Sequence, residues 1–517
     1  MIKNSQKLSS FALFSSFLIS SITGEAANQK KNEINVLLIT ADDLNCSSVN
    51  LFGGKVNNLT PNIDALAHSG IYFQYSHVTT GVSQVSRGAL ATGLYPHNSG
   101  IDGFYNTTKE IPTIQEILID NGFQIGIIGK VKHSSPKENT KWDFSAEIGG
   151  GRDYNKYAAA LKSFILKSQK EGKPFYFMAN SHDPHRPWEG SEDAAIKFPS
   201  HDFPYPSTIY QPKDVEIPGF LPDILKVREE ITMYTNSVKR LDDFVGAILK
   251  VLDETGVADN TMVIFLSDNG MSIPFSKTNC YLHSTRTPWI VRFPGVVTPG
   301  SIDKKHFISG IDYLPTVLEA VGIPIPSNLD GKSFYSVLRG KNQSGRKNVF
   351  TQFTETSGKK RYPMRCVQDK KYGYIFNAWS VDKRVFKNES QIGISWSAMK
   401  EAALTTPSIA ERNRFFEYRT VEEFYDFEKD PDALNNLIEN PLYKRTIEKY
   451  RKKLEINLRK TNDPILEAYL NRNDSHFLSQ YMKEQDKLVK NRMTNMIEIP
   501  NKKKTVSGKT LKKTNKK

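Results

Sequence analysis

Four short apolar runs, each ending in charged or amide residues, constrain this chain more than any other feature of it. INVLLIT (34–40) runs into Asp42 and Asp43, and QIGIIG (124–129) into Lys130 and His133. PFYFMAN (174–180) runs into His182, Asp183 and His185, and TMVIFLS (261–267) into Asp268 and Asn269. Near-continuous apolar runs suit strands buried on both faces of a largely parallel sheet. Helical stretches separate them. One starts at Thr60 and Pro61, a second is TIQEILIDNG, and a long third runs from REEITMYTNS to a stop at Gly256. The alternation predicts an α/β fold with a mostly parallel central sheet flanked by helices.

From residue 346 the pattern changes. TQFTE, RYPMRCVQD and YGYIFNAW read as short strands, and charged helices follow to about 490. The expected organisation is a catalytic α/β domain over 27–345, a smaller C-terminal α+β domain over 346–490, and a Lys-rich, disordered tail over 491–517. Residues 1–26 read as a signal peptide, with Lys3 and Lys7 ahead of an apolar stretch from Phe11 to Ile22 and small residues at Gly24 and Ala26. That stretch is too short and Ser-rich to span a membrane. The expectation is export, to the periplasm or beyond the cell.

Composition enters mainly to exclude. With 38% hydrophobic and 11% aromatic residues, general disorder is ruled out. The net charge of +14 is concentrated at the end, where residues 501–517 carry eight lysines and no acid. No aromatic residues interleave with them, so nucleic acid is not an expected partner. An anionic polysaccharide or membrane surface remains open for the tail. Three cysteines allow at most one disulfide, and no zinc-type CxxC spacing occurs.

In open α/β sheets, ligands gather outside the carboxyl ends of the strands. There the chain places Asp42, Asp43, Asp268 and Asn269, hard oxygen ligands suited to Ca²⁺ or Mg²⁺. Adjacent carboxylates repel one another unless a cation is present. Arg87, Lys130, Lys277 and His185 suit a bound anion. Ser83 opens the helix SQVSRGALATG, where backbone N–H groups favour negative charge. It is expected both to cap that helix and to act as nucleophile. A hydroxyl beside a divalent cation, an arginine and a helix N-terminus attacks phosphorus or sulfur centres. The residues alone thus indicate a metal-dependent hydrolase of sulfate or phosphate esters.

The motifs ADDLN, TPNIDALAHSGIYF, SQVSRGALATGLYPH, GKVKH, HDPHRP, FLSDNG and YDFEKDPDALNNL occur in this order between about 34 and 440. Together they resemble the sulfatase family of the alkaline-phosphatase-like superfamily. PFSKTNCY, YQPKDVEIPGFLPD and RYPMRCVQD are similar to its heparan N-sulfatase branch. The resemblance implies that Ser83, in the pattern C/S-x-P-S-R, is converted to formylglycine by a formylglycine-generating enzyme. It implies a cation, usually calcium and less often magnesium, held by Asp42, Asp43, Ser83, Asp268 and Asn269. Arg87 would orient the nucleophile, Lys130, His185 and Lys277 would hold the sulfate, and His133 or His185 would transfer the proton. The implied substrate is a sulfated glycan of the heparan or heparin type, losing N- or O-sulfate.

The chain departs from the pattern twice. Val85 stands where proline is usual, and GKVKH has one more residue than the commoner GKxH. Two alternatives therefore stay open: a phosphomonoesterase or phosphodiesterase using unmodified Ser83, and a catalytically silent glycan-binding protein. Nothing in the sequence fixes the oligomeric state.

Overall fold

The computed structural model describes residues 34–502, with side chains up to 494. The expected signal peptide lies outside these residues. The four apolar runs all form strands, joined by four more in one sheet: β1 (Asn35–Ala41), β2 (Ile71–His77), β3 (Gln124–Ile128), β4 (Phe144–Ala146), β5 (Phe175–Asn180), β6 (Thr261–Ser267), β7 (Trp289–Arg292) and β8 (Ser301–Ser309). Their order is β4-β3-β5-β1-β6-β7-β2-β8. β1 is central and pairs in parallel with β5 and β6, while β7 runs antiparallel to both of its neighbours. The mostly parallel α/β architecture expected from the sequence is the one observed.

The apolar runs are continuous because both faces of β1 are covered. Leu37, Ile39 and Ala41 pack with Tyr157, Leu161, Val238 and Leu241 on one face. Val36 and Leu38 pack with Ile114, Leu118, Leu314 and Val317 on the other. Full burial of such a side chain contributes roughly 1.5–3 kcal/mol. Polar residues are thereby confined to strand ends, where the chain leaves the sheet. Among the helices are α1 (Pro61–His68), α2 (Ser83–Thr92), α3 (Ile114–Asp120), α4 (Tyr154–Glu171) and α5 (Leu225–Glu254). Thr113 caps α3 in a reciprocal box with Glu116.

A second, antiparallel sheet holds β9 (Asn348–Glu355), β10 (Arg361–Asp369), β11 (Tyr372–Asn377) and β12 (Glu422–Asp426), in the order β12-β11-β10-β9. Its alternation is strict. Met364, Cys366, Ile375 and Tyr425 face the same core as Leu37. Val367, Tyr374, Phe376 and Phe424 face away, under Ile447, Tyr450, Leu454 and Leu458 of a helix over Lys444–Lys460.

The final helix, Ser475–Lys502, runs past the point where the disordered tail was expected to begin. Residues 491–502 are therefore helical, continuing the turn-by-turn hydrogen bonding of the segment before them, and 503–517 lie outside the described residues. Arg492, within this stretch, is held by both carboxylate oxygens of Glu355 at 2.5 Å. All three cysteines are buried and unpaired. Among the described residues no helix is long and apolar enough to cross a membrane.

Candidate active site

The carboxyl ends of β1, β3, β5 and β6 converge on one buried cluster. Asp42 and Asp43 leave β1, Asp268 and Asn269 leave β6, and all four are fully buried. Asp43 turns in the left-handed region at φ 70°, as does Lys130 after β3 at φ 52°. Such backbone costs on the order of 1–3 kcal/mol in a non-glycine residue and persists where the surroundings enforce it. Here it swings both side chains into the cluster.

Ser83 does not cap its helix. Val82 is the N-cap, extended at φ −154°, and Ser83 is the first helical residue of α2. Its hydroxyl is turned away from the helix amides. Oγ lies 3.2 Å from Asp42 Oδ1 and 3.3 Å from Asn269 Oδ1. The Asn269 amide is oriented by Nδ2 donating to Asp43 Oδ1 at 2.7 Å, which leaves its oxygen facing Ser83.

Arg87, one turn further along α2, does not touch Ser83 Oγ. Its Nε donates to Asp268 Oδ2 at 3.0 Å, and Nη1 donates to Thr40 Oγ1 and Asn180 Oδ1 at 2.9 and 2.8 Å. Lys130 pairs with Asp42 Oδ2. Lys277 reaches both oxygens of Asp43, at 2.7 and 2.8 Å, and Glu389 Oε1 at 2.9 Å. His185 donates Nδ1–H to the carbonyl of Arg186 at 2.6 Å, presenting Nε2 to the cluster 3.8 Å from Asp43.

All the expected site residues except His133 thus belong to one network of direct contacts. His133 packs edge-on against Phe104, with ring centroids 5.6 Å apart, and its buried Nδ1 has no hydrogen-bond partner. Burial, followed by the charge of Lys130, lowers its pKa to about 3. His182, also at the end of β5, turns to Glu147 at 3.5 Å instead of entering the cluster. Asp183 serves Arg240, accepting two hydrogen bonds at 2.7 and 3.0 Å.

The electrostatics show how unequal the acids are. Burial acts to raise Asp42, yet Lys130, His185, Arg87 and Lys277 together hold its carboxyl well below the usual range. Burial raises Asp43 to about 6 despite Lys277, with Asp42 and Glu389 adding to the rise. Asp268 is raised to about 7 by burial and by the charge of Asp42, against Arg87. One oxygen from each of the three carboxylates lies within 4.8 Å of the others. Three sealed carboxylates with an inward amide oxygen form an all-oxygen donor set, which fits a hard divalent cation and not a soft one.

Two kinds of residue were missed by sequence reasoning. Thr40 and Asn180 lie inside the apolar runs of β1 and β5, where they read as strand ends, and they hold Arg87. Glu389 lies on a short turn (Glu389–Gln391) beyond β11, more than a hundred residues from its partner Lys277. The only local signal there is Asn388 with Gln391, a capping pattern that announces a helical turn and says nothing of the site.

With this geometry in view, the comparisons with known proteins are specific. The family model described as Sulfatase matches residues 34–323, and one described as N-sulphoglucosamine sulphohydrolase, C-terminal, matches 271–387. Human N-sulphoglucosamine sulphohydrolase is 28% identical over 471 residues, covering 83% of this chain and 91% of that protein. An ulvan-active sulfatase of Formosa agariphila is 28% identical over 425 residues, covering 80% of this chain and 78% of its own. A solved structure described as in complex with its substrate D-glucosamine-2-N,6-O-disulfate shares the fold. It superposes with a TM-score of 0.63 at 18% identity, over 84% of this chain and 99% of that one.

Proposed function

The chain belongs to the sulfatase family and is a hydrolase of sulfuric esters or sulfamates; from that premise we propose that it removes sulfate from sulfated glucosamine-type sugars of heparan-like glycans, at the cluster around Ser83. The observation that carries this reading is the Ser83 hydroxyl, placed between Asp42 Oδ1 and Asn269 Oδ1 at 3.2 and 3.3 Å. The substrate class is supported by the second family match and by the human relative.

Asp42, Asp43, Asp268 and Asn269, with position 83, would hold the cation, calcium before magnesium. The cation would polarise the oxygens around it and offset the mutual repulsion of the acids. Ser83 oxidised to formylglycine would supply, on hydration, an attacking oxygen and a second hydroxyl for releasing the sulfate. A formylglycine-generating enzyme is the partner this requires. Arg87 fixes Asp268, and through Thr40 and Asn180 it locks the ends of β1 and β5 in register. Lys130 and Lys277 bring positive charge to either side of the cluster for the sulfate oxygens. His185, with Nδ1–H committed to a carbonyl, presents a bare Nε2 that would first take a proton from the attacking oxygen and then pass it to the leaving group. As the bond from sulfur breaks, its electron pair stays on the leaving atom, which takes that proton. His133, whose buried Nδ1 has no hydrogen-bond partner, feels the charges of Lys130, Asp42, Arg87 and His185 and remains the alternative for the same task.

The domain division at 345/346 belongs to the same proposal, with the second unit supplying Glu389. So does export after removal of residues 1–26. The test is release of inorganic sulfate from N-sulfoglucosamine and heparan oligosaccharides by protein from its own host. Ser83→Ala is expected to abolish it. Release of phosphate from a nitrophenyl phosphate, with none from the sulfate analogue or the glycans, would replace this reading with that of a phosphatase using unmodified Ser83, which Val85 in place of proline favours.

A further inference from the structure

Glu389 puts a negative charge beside a site built to receive an anion. Its Oε1 is 2.9 Å from Lys277 Nζ, and its side chain is 19% exposed while that of Lys277 is 1% exposed. Lys277 does not depend on it, because both oxygens of Asp43 already contact the same ammonium. The turn that delivers Glu389 is held firmly. Asn388 accepts from Ser390 N at 2.7 Å, and its own N–H donates to Gln391 at 3.0 Å. The following helix, Ile394–Ala402, is tied down by Glu230, which accepts from Ile394 N at 3.0 Å and Ser395 N at 2.8 Å. Arg186 closes the clamp on Glu230 at 2.7 Å.

Glu389 also lines a cavity of about 240 Å³ with His185, Arg186, Asp193, Lys197 and Ser272. His185 and Glu389 join this cavity to the cluster, so a sugar seated in it would lie beside Glu389. A carboxylate can only accept hydrogen bonds or balance a cation. The two classes of substrate differ at this point. In a sulfamate the atom bonded to sulfur is an N–H, a donor. Hydrolysis breaks the S–N bond with the electron pair left on nitrogen, and water supplies the oxygen to sulfur and the protons to nitrogen: R–NH–SO₃⁻ + H₂O gives R–NH₃⁺ + SO₄²⁻. In a sulfate ester the bonded atom is an oxygen without a hydrogen, and it leaves as a neutral hydroxyl.

We propose that Glu389 is a specificity-determining residue, which favours sulfamates over sulfate esters by accepting from the substrate N–H and balancing the ammonium product. The inference rests on the sulfate-hydrolase reading and deepens it. Two measurements test it. In steady-state kinetics on N-sulfoglucosamine and on glucosamine 6-sulfate, Glu389→Gln is expected to lower kcat/KM for the sulfamate by about 10–100-fold, the worth of one charge-assisted hydrogen bond. The value for the ester should move by less than about threefold, and Glu389→Asp should recover part of the loss. Equal losses on both substrates, or none, would overturn the proposal. Calorimetric binding of glucosamine and of glucose needs no turnover. The wild type should bind glucosamine about tenfold more tightly, with the margin gone in Glu389→Gln. Equal binding of both sugars by the wild type overturns the proposal on its own. Absence of sulfate release alongside a clear amine preference would instead count against the hydrolase reading and leave Glu389 as an amine-recognising group.

Discussion

Arg87 and Asp268 form an ion pair with no solvent access on either side: Nη2 and Nε meet the same oxygen, Oδ2, at 2.9 and 3.0 Å. The pair joins the first turns of α2 to the end of β6. It leaves the second Asp268 oxygen to accept from Asp43 N at 3.1 Å, so one guanidinium orients two strand ends. Breaking a buried pair by deleting one partner strands the other charge and typically costs 3–5 kcal/mol.

Arg87→Ala should therefore destabilise the protein by about 3–5 kcal/mol in urea denaturation, far more than a surface arginine. Arg87→Lys keeps the charge but loses the contacts with Thr40 and Asn180, and should fall between. A loss below about 1 kcal/mol for Arg87→Ala would show that Asp268 is already neutral in the folded protein.

Calcium should raise the unfolding temperature of the wild-type protein and a chelator should lower it. At a hundredfold excess over its dissociation constant, a ligand that binds only the folded state adds about 2.7 kcal/mol. Asp43→Asn should shrink that increment, and it should also destabilise the metal-free protein, because the buried Lys277 ammonium loses a carboxylate that contacts it through both oxygens. An unchanged calcium response in Asp43→Asn would remove this residue from the ligand set.

Val85→Pro should be tolerated by the fold. The first helical amide bond in α2 runs from Ser86 N to Val82 O at 2.9 Å, so residue 85 lies ahead of the hydrogen-bonded ladder where proline is accepted. The variant should raise the fraction of the residue-83 peptide whose mass has dropped by one H₂ when made in a host able to oxidise serine. A fraction equal to wild type would show that the proline is not what the modifying enzyme reads here.

His77 gives a pH dependence away from the site. Burial, followed by the Arg286 guanidinium, lowers its pKa from 6.5 to about 3, and its Nδ1 accepts from Gln368 Nε2 at 2.9 Å. The unfolded chain takes up this proton first as pH falls. Stability is therefore complete above about pH 6.5 and declines as pH drops toward about 3. Urea midpoints measured across that window in saturating calcium should fall less steeply in His77→Gln than in the wild type. Parallel slopes would mean another group controls the acid limb.

The clustering of Asp42, Asp43, Asp268 and Asn269 was readable because strand ends are local features. A run such as TMVIFLS followed by Asp268 and Asn269 needs only the knowledge that parallel strands gather their carboxyl ends. The misreading of Ser83 as a cap came from a local rule applied where a tertiary partner wins: Asp42 and Asn269 outcompete the helix amides for one hydroxyl. His133 entered through the resemblance of GKVKH, and its ring packs edge-on against Phe104. Glu389 had no local signature at all, since its role depends on a second sheet packing on the first. The early tail boundary at 491 failed for the opposite reason. Lysine content suggested a solvated chain, whereas Arg492 is gripped by Glu355 and the helix runs on to Lys502.

Every residue of α2 from Ser83 to Thr92 is buried, and Ser83 itself is only 3% exposed. An enzyme that rewrites position 83 has no route to it once the two sheets have closed. If Ser83 is converted as proposed, the conversion would have to precede closure of the fold around α2. On that proposal the share of competent molecules would be fixed before the chain folds, and adding a modifying enzyme to folded protein would not raise it.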